Sequence, residues 1–106
     1  MLQDLGHREG QAATWHSLGY AHHGLADHQQ AAICFERALD LYTELGDRYS
    51  QASTLTSLGD VHDSAGDIIA ARRAWMHALP IFDEIGHSDG DRLRAKLRLP
   101  GDQQAS

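Results

Sequence analysis

Lysine, cysteine and proline are nearly missing from this 106-residue chain, and each shortage excludes something. Lys96 is the single lysine, and the formal net charge is −6. Phosphate contacts need clustered cations on one face, so direct binding to nucleic acid is not expected. The basic residues that do gather, Arg92, Arg94, Lys96 and Arg98, alternate with Leu93, Ala95, Leu97 and Leu99 and read as a solvated helix face. Cys34 stands alone, which rules out an internal disulfide and a cysteine metal cluster and agrees with a reducing compartment. No apolar run approaches the roughly 20 residues of a membrane-spanning helix, and Met1-Leu2-Gln3-Asp4 lacks the basic region and apolar stretch of a signal peptide. A cytoplasmic protein without membrane contact is expected.

Catalytic signatures are also missing. There is no Gly-rich phosphate loop, no Gly-x-Ser-x-Gly elbow and no paired Cys motif, and His16 and Ser17 are helix neighbours whose side chains diverge. No enzymatic activity and no cofactor are expected. Eight histidines invite a metal, above all at His22-His23 and Asp60-Val61-His62-Asp63. Adjacent residues point about 100° apart around a helix, whereas two ligands on one helix should be three or four apart, so no metal site is expected. The histidines can instead make stability or association sensitive to acid.

What is present is repetition. Leu5-Gly6 returns as Leu45-Gly46 and, weakened, as Ile85-Gly86, and residues 5–44 share fifteen identities with residues 45–84. Composition alone would give roughly two or three. A period of this length marks a solenoid of stacked units, whose usual work is to present an extended binding surface.

Each unit reads as two helices. Ala12, Trp15, Leu18, Gly19 and His22 fall at helical spacing, and that pattern ends at Gly24-Leu25-Ala26. Asp27 then caps a second helix carrying Ala31, Ile33, Cys34, Phe35, Ala38, Leu39, Leu41, Tyr42 and Leu45, which stops at Gly46. The cycle restarts at Asp47 with Leu55, Leu58, Gly59, Val61 and His62 and breaks at Gly66. Asp67 caps the next helix, in which Ile68, Ala71, Ala74, Trp75, Ala78, Leu79, Phe82 and Ile85 are expected to be buried. Gly19, Ala31, Gly59 and Ala71 let helix axes approach closely, while Trp15, Phe35 and Trp75 fill the gaps. Pro80 removes an N–H and crowds the carbonyl of Met76, which predicts a kink or a weakened helix. The expected organisation is residues 1–6 as the remnant of a preceding helix, repeats over 7–46 and 47–86, a capping helix over 87–99 and a disordered tail over 100–106.

These residues resemble the tetratricopeptide repeat. Trp15, Leu18, Gly19, Ala31, Phe35 and Ala38 occupy that family's signature spacing, as do Leu55, Leu58, Gly59, Ala71, Trp75 and Ala78, with His22 and His62 where Tyr is commoner. The family's unit is about 34 residues, so forty implies longer helices. The resemblance implies an all-α, right-handed solenoid of stacked antiparallel helix pairs: two complete repeats and a capping helix. The forty-residue form, Leu45-Gly46-Asp47-Arg48 and the ending Ile85-Gly86-His87-Ser88-Asp89 with Arg94-Ala95-Lys96-Leu97 also look like the C-terminal repeats of bacterial antibiotic-pathway transcriptional regulators.

The family binds extended peptides or helices on the concave face formed by the first helix of each pair. Its groove positions, carried over, are Ala13, His16, Tyr20 and His23 in the first unit and Ser53, Thr56, Asp60 and Asp63 in the second. Asp60 and Asp63 would favour a partner bearing Lys or Arg, and Tyr20 offers a ring and a hydroxyl. The groove lacks the Lys, Arg and Asn set with which the family clamps a C-terminal carboxylate. The function expected is protein–protein interaction, as the C-terminal sensing or scaffolding part of a larger regulator. The alternative is a structural segment that oligomerises through an exposed apolar N-terminal end, without a peptide ligand.

Overall fold

The computed structural model describes residues 2–97, with the side chains of residues 7–97. Those residues form five helices and no strand: α1 (Leu2–Gly24), α2 (His28–Leu45), α3 (Arg48–Ser64), α4 (Ile68–Glu84) and α5 (Asp89–Leu97).

The joints show why the chain breaks where it does. Asp27, Asp47 and Asp67 each accept a hydrogen bond from the N–H three residues on, at Gln30 (3.3 Å), Ser50 (3.1 Å) and Ala70 (3.1 Å). Such a cap contributes about 1 kcal/mol to the start of the helix that follows. The residue before each cap is left-handed: Ala26 (φ 63°), Gly46 (72°) and Gly66 (87°), followed by Gly86 (68°) at the fourth joint. The next N–H then returns to a carbonyl five residues back, Asp27 to His22 (2.9 Å), Asp47 to Tyr42 (3.1 Å), Asp67 to His62 (2.8 Å) and His87 to Phe82 (2.9 Å). The forty-residue unit is therefore two twenty-residue halves with the same joint. At the fourth joint His87 replaces the aspartate, and its Nδ1 accepts from the N–H of Asp89 (3.1 Å).

Packing runs between chain neighbours, α1 on α2, α2 on α3, α3 on α4 and α4 on α5. The close approach at the two glycines is steric. A Cβ on Gly19 would lie 2.7 Å from the Phe35 ring, and one on Gly59 would run into the Trp75 indole. Ala12, Ala31, Ala52 and Ala71 are fully buried at the same crossings. Phe35 packs with Ala31, Leu58 and Val61. Trp75 packs with Leu55, Ala78, Ile81, Phe82 and, from α5, Leu93 and Leu97. An ion pair closes each helix pair at the end away from its joint, Arg8 with Glu44 (2.8 Å) and Arg48 with Glu84, the two members 36 residues apart in each case.

Two expectations change, at residues 2–6 and at the ends of α4. Residues 2–6 extend α1 without a break and so are not a separate preceding helix. Ile68 and Ile85 are exposed, the first opening α4 and the second capping its C-terminus. Helix α4 runs through Pro80 to Glu84, with Ile81 and Phe82 buried immediately beyond it. The capping helix is α5 over Asp89–Leu97, while Met1, Arg98, Leu99 and the expected tail over 100–106 lie outside the described residues.

Candidate functional site

The first helices of successive units are bound side to side. His16 Nδ1 hydrogen-bonds Thr54 Oγ1 (3.0 Å), Tyr20 shares a hydrogen bond with Ser57 (3.2 Å), and His23 Nε2 meets Ser64 Oγ (3.2 Å). Asp60 carries the series on to α5 through Lys96 Nζ (2.7 Å). Residues three and four apart share a helix face, so this run of contacts turns one stripe each of α1, α3 and α5 to a common side.

A cavity of about 420 Å³ opens there. Four of the eight expected groove residues line it: Tyr20, Ser53, Thr56 and Asp60. Its other walls were not foreseen. Tyr49 and Ser57 come from α3, Phe82 from α4, and Asp89, Arg92, Leu93 and Lys96 from α5. Phe82 and Leu93 are buried, whereas Tyr20 and Tyr49 are 54% and 46% exposed, so two phenol rings stand at the rim above an apolar and hydroxyl-bearing interior. Ala13 and His16 line a neighbouring depression of about 290 Å³ that shares Ser53 and Tyr49 with the first. His23 lies at the edge, bonded to Ser64 with its ring 6.4 Å from that of His28, and Asp63 is exposed outside both hollows.

His16 sits among aromatic rings, with Tyr20 at 5.0 Å and Phe35 edge-on at 5.3 Å between centroids. Burial lowers its pKa from the ordinary imidazole value, so the neutral form is favoured in the groove.

The electrostatics differ from the expectation of a free acidic pair. Asp60 is already engaged by Lys96, whose ammonium also lies 5.1 Å from the centre of the Trp75 ring. Asp89 faces Arg92 (3.7 Å) and His87 (3.6 Å). The groove is thus lined by balanced charges, and the basic residues read as a solvated face contribute two of them, because α5 packs as a third first helix. Among the described residues no three His, Cys, Asp or Glu side chains come together as metal ligands, and no helix is long and apolar enough to cross a membrane.

Residues 10–84 match the family model of the tetratricopeptide repeat. No curated protein matches the chain.

Proposed function

Because the chain belongs to the tetratricopeptide repeat family, whose non-catalytic repeats generally mediate protein–protein interaction, we propose that it binds a peptide or helix of a partner protein in the groove across α1, α3 and α5. The observation that carries this reading is the pair of half-exposed rings, Tyr20 and Tyr49, at the mouth of a cavity with a buried Phe82 and Leu93 behind them. Rings of this kind give large contact area at small cost in conformational entropy, and their hydroxyls orient the ligand. The partner inserts an apolar or aromatic side chain between them. A Lys or Arg beside that anchor is drawn to Asp63, and reaches Asp60 only by displacing Lys96.

The likeness of the forty-residue units and their Leu-Gly-Asp-Arg joint to those of bacterial antibiotic-pathway regulators supports a place as the sensing or scaffolding part of a cytoplasmic transcriptional regulator. In that setting the groove receives a protein signal and makes no contact with DNA.

Cross-linked capture from a bacterial cytoplasmic extract tests the groove, run with the parent and with Ser53→Arg, which fills the cavity from a half-buried position. A protein held by the parent and lost from a Ser53→Arg variant of matched Tm is the expected result. Equal capture by both, or capture only of further copies of the chain, overturns the reading and favours assembly through the solenoid ends.

A further inference from the structure

The four joints share one backbone turn and differ in the side chain that closes it. Asp27, Asp47 and Asp67 each accept the N–H three residues on through a carboxylate, whereas His87 accepts the N–H two residues on, that of Asp89, through Nδ1 (3.1 Å). A carboxylate keeps its charge between about pH 5 and 8, and an imidazole does not. The cap at the fourth joint therefore holds only while the ring is neutral with its proton on Nε2, because a protonated Nδ1 donates and cannot accept. A cation at that place would also oppose the partial positive charge of the α5 N-terminus. The His87 side chain is 39% exposed, so solvent protons reach it.

His87 touches the groove from behind. Its ring lies 5.0 Å from that of Tyr49 on α3 and 5.5 Å from that of Phe82 on α4, and both of those line the cavity. From α5, Asp89 Oδ2 lies 3.6 Å from the same Nδ1, and the Asp89 carboxylate also faces Arg92 across 3.7 Å. The charged groups that follow Phe82 on α4 are engaged elsewhere, Asp83 by Arg94 and Glu84 by Arg48, the neighbour of Tyr49.

We propose that the fourth joint is an acid-operated switch on the α5 wall of the groove. On protonation, Nδ1 ceases to accept the Asp89 N–H and donates instead to the Asp89 carboxylate. That exchange draws the carboxylate from Arg92 and loosens the first turn of α5. Asp89 and Arg92 both line the cavity, so its wall changes in charge and shape together. The other three joints, closed by aspartate, do not respond. The effect on a bound partner rests on the groove reading above; the switch itself does not.

Nuclear magnetic resonance of the full chain without a ligand, titrated from about pH 8 to about pH 5, tests the switch across the range in which imidazole changes charge. At the upper end a scalar coupling between the Asp89 amide nitrogen and His87 Nδ1 is expected, which reads the cap directly and needs no substitution. On acidification, amide protection over residues 91–94 of α5, corrected for the intrinsic effect of pH, is expected to fall about fivefold, as loss of a cap implies. Protection over residues 51–54 of α3, behind the Asp47 cap, serves as the control within the same molecule and falls less. His87→Asp, which copies the other joints, is expected to remove the difference between the two helices. Absence of the coupling at the upper end, an equal fall in α3 and α5, or the same α5-specific fall in His87→Asp overturns the switch. Each of these results is obtained without a partner and leaves the groove reading to its own test.

Discussion

Leu18 and Leu58 hold equivalent positions forty residues apart, yet the first is 42% exposed and the second 7%. The helices that bear them have the same joint and the same glycine one residue on. Their fates differ because α2 lies over α3 and no described element lies over that side of α1. Burial in this fold is a property of the position in the stack, and a residue identical by repeat is not equivalent in energy. A repeat's sequence therefore describes the surface it is able to cover, and its neighbours decide whether it does.

The comparison is sharpened most by truncating the two leucines. Leu58→Ala should cost about 3 kcal/mol by loss of transfer energy and opening of a cavity beside Phe35 and Val61, and Leu18→Ala less than about 1 kcal/mol. Urea unfolding of both variants measures the difference, and equal losses would break the comparison. The next effect lies at the joints. Ala26 is left-handed where the second repeat has Gly66, and that conformation costs a residue with a Cβ about 1 kcal/mol. Ala26→Gly should stabilise the protein by about that amount, and Gly66→Ala should destabilise it similarly; a loss on Ala26→Gly would show that other contacts dictate the turn. The smallest effect concerns pH. His16 stands where the second repeat has Thr56, and burial lowers its pKa. The unfolded imidazole titrates near about 6.5, so between that value and the lowered one the unfolded chain binds the extra proton. Stability from this group is full above about pH 6.5 and falls as the pH drops toward the folded value. His16→Thr, copying the second repeat, should reduce the fall in Tm between pH 7 and pH 5, and an unchanged slope would place the acid sensitivity on other histidines.

Much of the fold was legible because the residues that enforce it are local. Asp27, Asp47 and Asp67 mark helix starts through their own side chains, and Gly19 and Gly59 mark crossings at which a Cβ meets a ring. The exposure of Leu18 was not legible, since it depends on what lies beside the helix. The groove was half legible. Tyr20, Ser53, Thr56 and Asp60 followed from the spacing, but Lys96 and Leu93 were missed although the same forty-residue shift carries Thr56 to Lys96 and Ser53 to Leu93. The signal was present in the third, decayed unit, where charge alternation drew more notice than register. Tyr49 and Phe82 escaped for another reason: they sit in the first turn of α3 and the last of α4, and only the joint angle aims them at the groove.

The cross-repeat bonds carry a consequence for how the molecule comes into being. From Arg8 and Glu44 to His23 and Ser64, the side-chain links between helices described above join residues no more than 41 apart. Closing such short loops costs little entropy, and chains dominated by near-neighbour contacts fold quickly. The helix pair α1–α2 with α3 against it can therefore reach its native contacts while α5 is still being synthesised, each new twenty-residue segment docking on a surface that is already formed.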